Sequence, residues 1–546
     1  SLSAMATLDT DVTMASAEEG EGEGEEEEAG RATLVLVNLA GIMERADEAL
    51  LPAAYQEVGA ALGASPAALG SLTLFRSIVQ SFCYPLAAYM AVRYNRAHVV
   101  ALGAFLWAAA TFLVAISSTF FQVAVSRALN GVGLALVTPA IQSLVADSTD
   151  ESNRGTAFGW LYLTSNLGSI LGGLFTVLLA SRTFMGIPGW RVAFHLVGLV
   201  SVIVGILVRL FAIDPRFSSS KRKSEESVPR KSIRSEILEL IKEAKAVIKI
   251  PSFQIIVAQG VPGSFPSSAL TFATMWLELI GFSHEETGFL MGMFIIATSL
   301  GGLFGGRMGD ILAKRLPNSG RIILAQISSG STIPLAAVLL LVLPDDPSSG
   351  FAHGLVMFIM GLSISWIAPA TNNPIFAEIV PEKSRTCIYA LDRAFESVLS
   401  SFAPPTVGLL SEHVYGYRPV PKGSNQAAKI KTDRENAASL AKALYTAISI
   451  PKLLCCLIYS FLYCTYPRDR ERARMDSLMA SEMQQIELEN SFVVGDDSPT
   501  SISELQLGVK DRSVIEIAHG EEDFEVDDSD EKPLLPHQVT LSNETD

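Results

Sequence analysis

Apolar runs of about twenty residues recur from residue 32 to residue 466, each closed by a short polar or Gly/Pro-bearing stretch. A bilayer core takes about 20 apolar residues per helix, so the pattern predicts twelve spans in two groups of six. The first group is 32–57, 68–92, 98–117, 120–146, 155–181 and 190–213; the second is 253–281, 286–308, 321–343, 352–379, 386–411 and 441–466. The polar stretch 214–251 between them carries Lys221, Arg222, Lys223, Arg230, Lys231 and Arg234. Inside it Ile233, Ile237, Leu240, Ile241, Ala244 and Ile248 recur at helical spacing, which predicts an amphipathic helix, either on the inner membrane face or as an exposed linker. The expected layout is an all-α membrane protein: an acidic tail over 1–31, six-helix bundles over 32–213 and 252–466, the basic linker over 214–251, and a second acidic tail over 467–546.

Composition agrees with a membrane class. Of 546 residues, 49% are hydrophobic and 18% charged, and the mean hydropathy is +0.34. A soluble domain carries about 25% charged residues. The net charge of -16 belongs to the tails, because 1–30 holds ten carboxylates and no cation, and 467–546 has a net charge of -14. Such segments bury too little apolar surface to offset chain entropy, so both tails are expected to be disordered. Residues 31–466 are net +8. Their cations fall in alternate loops: Arg93 and Arg96, Arg154, the linker, Lys314 and Arg315, Lys383 and Arg385, then Arg468 to Arg474. The positive-inside rule places these loops and both termini in the cytosol. Loop 412–440, with Arg418, Lys422, Lys429, Lys431 and Arg434, runs against that rule.

Charges inside the spans are the candidate site. Charged groups at the bilayer centre cost several kcal/mol and usually face a cavity or one another. Span 1 carries Glu44, Arg45, Asp47 and Glu48, about 18–24 Å along a helix from Ala32. Spacings of three and four put Glu44, Asp47 and Glu48 on one face, read here as the acidic wall of a central cavity; a closed ion-pair cluster is the alternative. Span 11 repeats the theme with Asp392, Arg393 and Glu396, while Arg76, Arg127 and Lys452 add cations. Substrate contact is expected from Arg45, Arg127 or Lys452, and titration from Glu44 or Glu48.

The two groups also echo one another, since Arg154 opens span 5 and Arg385 opens span 11. With twelve spans, the Arg93-Tyr94-Asn95-Arg96 loop, its counterpart from Gly306 to Arg315, and Arg127-Ala128-Leu129-Asn130-Gly131-Val132-Gly133-Leu134-Ala135 in span 4, the chain resembles the major facilitator superfamily. In that family the loop after helix 2 reads G-x-x-x-D-R-x-x-R-[RK]; its Asp falls on Val92, whereas Asp310 keeps the carboxylate in the second copy. The resemblance implies two pseudo-symmetric bundles that alternately open a midplane site to each side. It also implies a gating role for Arg93, Arg96, Arg154, Asp310 and Arg385, with Asp310 against the start of helix 5 and beside Arg154. Val37 to Arg45, the Arg-Tyr-Asn-Arg loop and Trp190 to Phe194 are similar to the Spinster-like branch, which moves lysolipids or sphingoid phosphates and is often proton-linked. That branch usually has Glu where this chain has Leu134.

The expected function is secondary active transport, proton-coupled in the branch's manner, of a small organic or lysolipid-like solute, by a monomer in the bilayer with no cofactor and no nucleic-acid partner. The rival is a receptor-like or scaffold protein that kept the fold and lost transport. Chemistry is disfavoured because the seven histidines have no metal-ligand spacing and no phosphate-cradling G-x-x-x-x-G-K-[ST] occurs. Asp530 to Leu535 resembles an acidic dileucine signal, which implies an endolysosomal or vacuolar membrane, with the plasma membrane as the alternative.

Overall fold

The computed structural model describes residues 30–62, 66–180, 182–216, 233–270, 272–400, 409–417 and 426–494. The predicted tail over 1–29, the first cations of the linker, Arg418 and Lys422 in loop 412–440, and the dileucine motif lie outside the described residues, as does the side chain of Val92.

The described residues fold almost wholly into helices. In the first half these are α1 (30–53), α2 (Tyr55–Leu62), α3 (Pro66–Arg93), α4 (Arg96–Ile116), α5 (Phe120–Asp147), α6 (Arg154–Ala180) and α7 (Gly189–Phe211). A two-residue hairpin, β1 (Thr183–Phe184) and β2 (Ile187–Pro188), joins α6 to α7. The linker forms α8 (Ile233–Ile248). The second half holds α9 (Pro251–Leu270), α10 (Ala273–Ile280), α11 (His284–Arg315), α12 (Gly320–Ala337), α13 (Gly350–Ile364), α14 (Asn373–Glu378), α15 (Arg385–Ser400), α16 (Gln426–Ser460) and α17 (Leu462–Val494). The described residues through Ser481 form one compact unit, and those from Glu482 belong to another.

Local chemistry sets several of these ends. Thr119 caps α5 and Ser283 caps α11, each in a reciprocal box with the Gln or Glu three residues on, which satisfies amides that the first helical turn leaves without partners. Gly281, at φ 114°, closes α10 in the left-handed region where a side chain would be strained. Eight described helices are long and apolar enough to cross a membrane, and they fall at predicted spans 3–6, 8–10 and 12. Predicted span 7 is divided into α9 and α10, with Pro262 and Pro266 inside α9. Wide π turns at Val338–Val342, Ala368–Asn372 and Leu410–Val414 interrupt the helices of the second half.

Two sequence expectations differ from the structure in extent. α16 begins at Gln426, inside the stretch predicted to be a loop, because Ala437, Leu440, Ala441 and Leu444 carry its apolar stripe into the core ahead of the predicted span. α17 continues to Val494 through residues predicted to be disordered; Arg, Glu, Ala, Met and Leu there favour helix despite their charge.

The hydrophobic core shows where the halves meet. One buried cluster runs from Val37, Trp107 and Leu144 in the first half through Phe158 to Phe376, Tyr389 and Tyr459 in the second. A second cluster, around Trp276, Phe294, Met360 and Leu444, contains second-half residues alone. The shared cluster includes residues from the ends that carry Arg96, Arg154 and Arg385, called here the basic face. Val247 of α8 joins that cluster, and α8 packs against α3, α9 and α15. The linker helix is thus partly buried beneath both halves, rather than wholly exposed.

Helices α6 and α11 form the tightest crossing between halves. A Cβ on Gly306 would lie 2.1 Å from the Gly155 carbonyl oxygen, so a side chain there forces the two backbones apart. Overpacking of this kind costs about 1–3 kcal/mol. Gly306→Val is expected to lower the thermal unfolding midpoint, whereas Gly330→Val, at a position with nothing within 4 Å of the added atom, leaves it nearly unchanged. Equal effects of the two variants would contradict the crossing.

Candidate functional site

The basic face is sealed by charges that cross between halves. Asp147, at the end of α5, accepts from Arg96 at the start of α4 and from Arg385 at the start of α15. Its side chain is 1% exposed, and that of Arg385 is 9% exposed. Arg96 also grips Asp214, from its Nε at 3.0 Å and its backbone amide at 2.8 Å. Beside them the Thr386 hydroxyl donates to Ser143 Oγ at 2.8 Å. Taking charges out of water is repaid only by close, hydrogen-bonded partners, and this cluster supplies them.

On the other pair of helices, Asp310 of α11 caps the start of α6. It accepts from the amides of Gly155 and Thr156 at 2.8 and 2.6 Å and from the Thr156 hydroxyl at 2.7 Å. A carboxylate at a helix N-terminus satisfies orphan amides and meets the positive end of the helix dipole. Its arginine is Arg321, at 3.3 Å, in place of the expected Arg154, whose Nε donates to the Ala146 carbonyl at 3.0 Å. Arg321 also pairs with Glu378 at 3.2 Å. Arg93 donates to the Tyr89 hydroxyl at 3.0 Å and stacks on Tyr94.

The mid-depth charges divide into two sets. Glu48 bridges Arg45 at 2.7 Å and Arg76 at 3.0 Å, joining span 1 to span 2, and the Arg45 side chain is 47% exposed. Arg393 pairs with Glu396 at 3.0 Å, with side chains 27% and 43% exposed, and lies within electrostatic reach of Arg45 and Glu44. Ser81 and Ser397 touch across the halves at 2.7 Å. Exposed charge at this depth in a membrane-crossing bundle faces water.

The other set is dry. Asp47 accepts from the Thr111 hydroxyl and from the Asn130 amide at 2.8 Å, with Arg127 at 3.8 Å, and all four are buried between α1, α4 and α5. The expectation that Glu44, Asp47 and Glu48 share one wall therefore fails at Asp47. It sits about 100° round the helix from Glu48, enough to turn it from the exposed side into the seam. Glu44 is buried and accepts from the Thr138 hydroxyl at 2.7 Å. Asp392 is half-buried one turn before Glu396, and Lys452 is buried on α16 within electrostatic reach of Cys455.

Sequence reasoning missed Asp147, Asp214, Arg321 and Glu378. Their available signal was position: each is a charge at the edge of a predicted span.

A family model described as Major Facilitator Superfamily matches residues 37–404. The chain belongs to the major facilitator superfamily. It is 23% identical over 351 residues to protein spinster of Drosophila melanogaster, a match covering 61% of this chain and 54% of that protein, so it spans about half the length of that relative. It is 26% identical over 445 residues to an MFS-type efflux pump of Mycolicibacterium smegmatis, covering 80% of this chain and 94% of the pump. Among solved structures, a bacterial homolog of the human lysosomal transporter spinster, inward-facing and unoccupied, superposes with a TM-score of 0.52 at 16% identity, covering 81% of this chain and 98% of that one. A proton:xylose symporter bound to 6-bromo-6-deoxy-D-glucose gives 0.58 at 14% identity, covering 81% and 96%. These likenesses establish the fold. As a major facilitator protein the chain is an integral, multi-pass membrane transporter resembling the spinster branch, and not an enzyme.

Removing one partner from a buried ion pair costs about 3–5 kcal/mol, because the remaining charge stays buried. Asp147→Asn is expected to open the basic face and raise the rate of maleimide labelling at Cys387, now 2% exposed in the first turn of α15, by at least about tenfold in a variant with the other four cysteines replaced. Asp310→Asn shifts it the same way; an unchanged rate in both would remove these carboxylates from the seal. Burial alone would raise the Asp214 carboxyl, but the Arg96 guanidinium holds it below its ordinary value. Its stabilisation is therefore complete above the usual Asp range and is lost as pH falls through the lowered value. Asp214→Asn should lower the unfolding midpoint at pH 7, by an amount that shrinks below about pH 4; a deficit that grew in acid would contradict the assignment.

Proposed function

We propose that this protein is a secondary active transporter that works by alternating access, rocking bundle 32–213 against bundle 252–466, and that it carries an amphiphile with an anionic headgroup. The observation that carries the reading is a pair of unfilled donors. Arg76 Nε in α3 and Arg393 Nε in α15 are both buried and meet no acceptor among the described residues. An unmade hydrogen bond at a buried guanidinium is costly, and a phosphate or carboxylate oxygen would supply the acceptor. The two donors come from different halves, beside the exposed Arg45, so a headgroup bound there would tie the halves together. Binding that joins moving parts is what couples occupancy to the rocking step. Lys452 extends the cationic lining on this reading, while Arg127 serves the dry seam with Asp47.

Glu44 is the proton carrier in this scheme. Its described partner is a hydroxyl in place of an arginine, so it can gain and lose a proton without breaking an ion pair. Glu48, shared by two arginines, stays charged and positions them. The lysosomal relative of the structural neighbour and the acidic dileucine stretch support an endolysosomal membrane with both termini in the cytosol.

The test is uptake of radiolabelled lysophosphatidic acid into proteoliposomes under an imposed pH gradient. Wild-type uptake should follow the gradient, Arg393→Ala should lose at least about tenfold of the rate, and Glu44→Gln should retain flux that ignores the gradient. Gradient-dependent uptake in Glu44→Gln would remove Glu44 from coupling. No uptake by the wild-type protein of this lipid, of neutral monoacylglycerol or of glucose would favour the receptor-like alternative.

A further inference from the structure

A cavity of about 640 Å³ lies between the first turns of α11 and α13, at the end of the second half away from the basic face. Pockets that hold small molecules fall in this size range. Phe282 and Leu290 form its floor, and Phe289, Met293, Phe351 and Phe358 line its sides. Phe282 is fixed edge-on to the buried ring of His353 at 5.4 Å. Phe289 and Phe351 are 71% and 86% exposed, so the cavity opens to the outside of the bundle, where the bilayer lies. From Phe351 to Phe358 the apolar wall runs about 10 Å down the helix.

Its mouth carries charge of one sign. Glu285 and Glu286 stand at the rim, and none of the lining residues is a lysine or arginine. Glu286 accepts from the Ser283 amide and hydroxyl, each at 2.9 Å, which caps α11 and offsets the positive end of that helix. Asp346, next to Pro347 in the rim, accepts from the Ser348 amide at 3.1 Å and has Arg434 as a nearby cation. Glu285 is exposed at this rim. Apolar depth beneath an acidic rim matches a molecule with a hydrocarbon chain and a positive headgroup.

We infer that this groove is a binding site for a bilayer phospholipid whose headgroup bears an ammonium, with one acyl chain along the phenylalanine wall and the ammonium against Glu285. The site is separate from the central charges and stands whether or not the solute is an anionic amphiphile. It places a lipid where α11 and α13 converge, so its occupancy stabilises the outer end of the second half.

The full-length protein in detergent is mixed with equal dioleoyl phosphatidylethanolamine and dioleoyl phosphatidylglycerol, and retained lipid is counted by native mass spectrometry. Wild type should keep one phosphatidylethanolamine over phosphatidylglycerol by about threefold, the scale of one rim ion pair. Glu285→Lys should reverse the preference. Gly354→Leu, whose first added atom already lies 2.9 Å from Met293 Cε, fills the groove and should lose retention of both lipids. Equal retention of the two lipids by wild type, or an unchanged preference in Glu285→Lys, overturns the headgroup assignment. Retention undiminished in Gly354→Leu overturns the site, and preferential retention of lysophosphatidylethanolamine when it is added in equal amount to the two-chain lipids overturns the occupant.

Discussion

The shared carboxylate of Asp147 is the contact on which the arrangement depends. It is buried, it belongs to the first half, and one of its two arginines belongs to the second. Neither Arg96 nor Arg385 is compensated in the same way without it, although Arg96 keeps Asp214. While the triad holds, the end of α5 and the start of α15 stay together. The crossing of α6 and α11 works alongside it by a different interaction. There Asp310 holds the first turn of α6 through backbone amides, whereas the first turn of α15 is held through the Arg385 side chain. The family carboxylate is absent at Val92, and Asp147 provides the charge that meets α15.

The two halves differ in how they are built. In the first, charge at mid-depth is partly locked into the seam of Asp47, Thr111, Asn130 and Arg127, which fastens α1 to α4 and α5. In the second, α9 and α10 divide one predicted span and three π turns interrupt the helices. Such breaks sit where helices bend and where function needs an irregular backbone. Glu44 thus lies in the half fastened by that seam, and Arg393 in the half that these breaks divide.

Most of the fold was legible because hydropathy is local. Eight helices are apolar enough to be read from composition alone. The site was legible in part. Spacing along α1 put Asp47 on the same wall as Glu44 and Glu48, whereas Asp47 lies in the seam. A helix between a wet cavity and two packed neighbours has polar positions on more than one side, and periodicity does not say which side a neighbour covers. The seal was largely hidden. Asp147 meets Arg385 across 238 positions, and Asp214 meets Arg96 across 118, so no local pattern links either pair. α16 was placed late because its first turns are rich in charge, and the buried Ala437 and Leu440 that justify them gain meaning only from packing.

The central claim is that mid-depth charge is wet from one end and sealed from the other. Arg45→Cys in a background lacking native cysteines, reconstituted in sealed proteoliposomes of known orientation, tests it with a membrane-impermeant maleimide applied to each side in turn. Labelling should be fast from the side opposite the basic face and at least about tenfold slower from the basic face itself. Labelling that is equally fast from both sides, or faster from the basic face, would contradict the account.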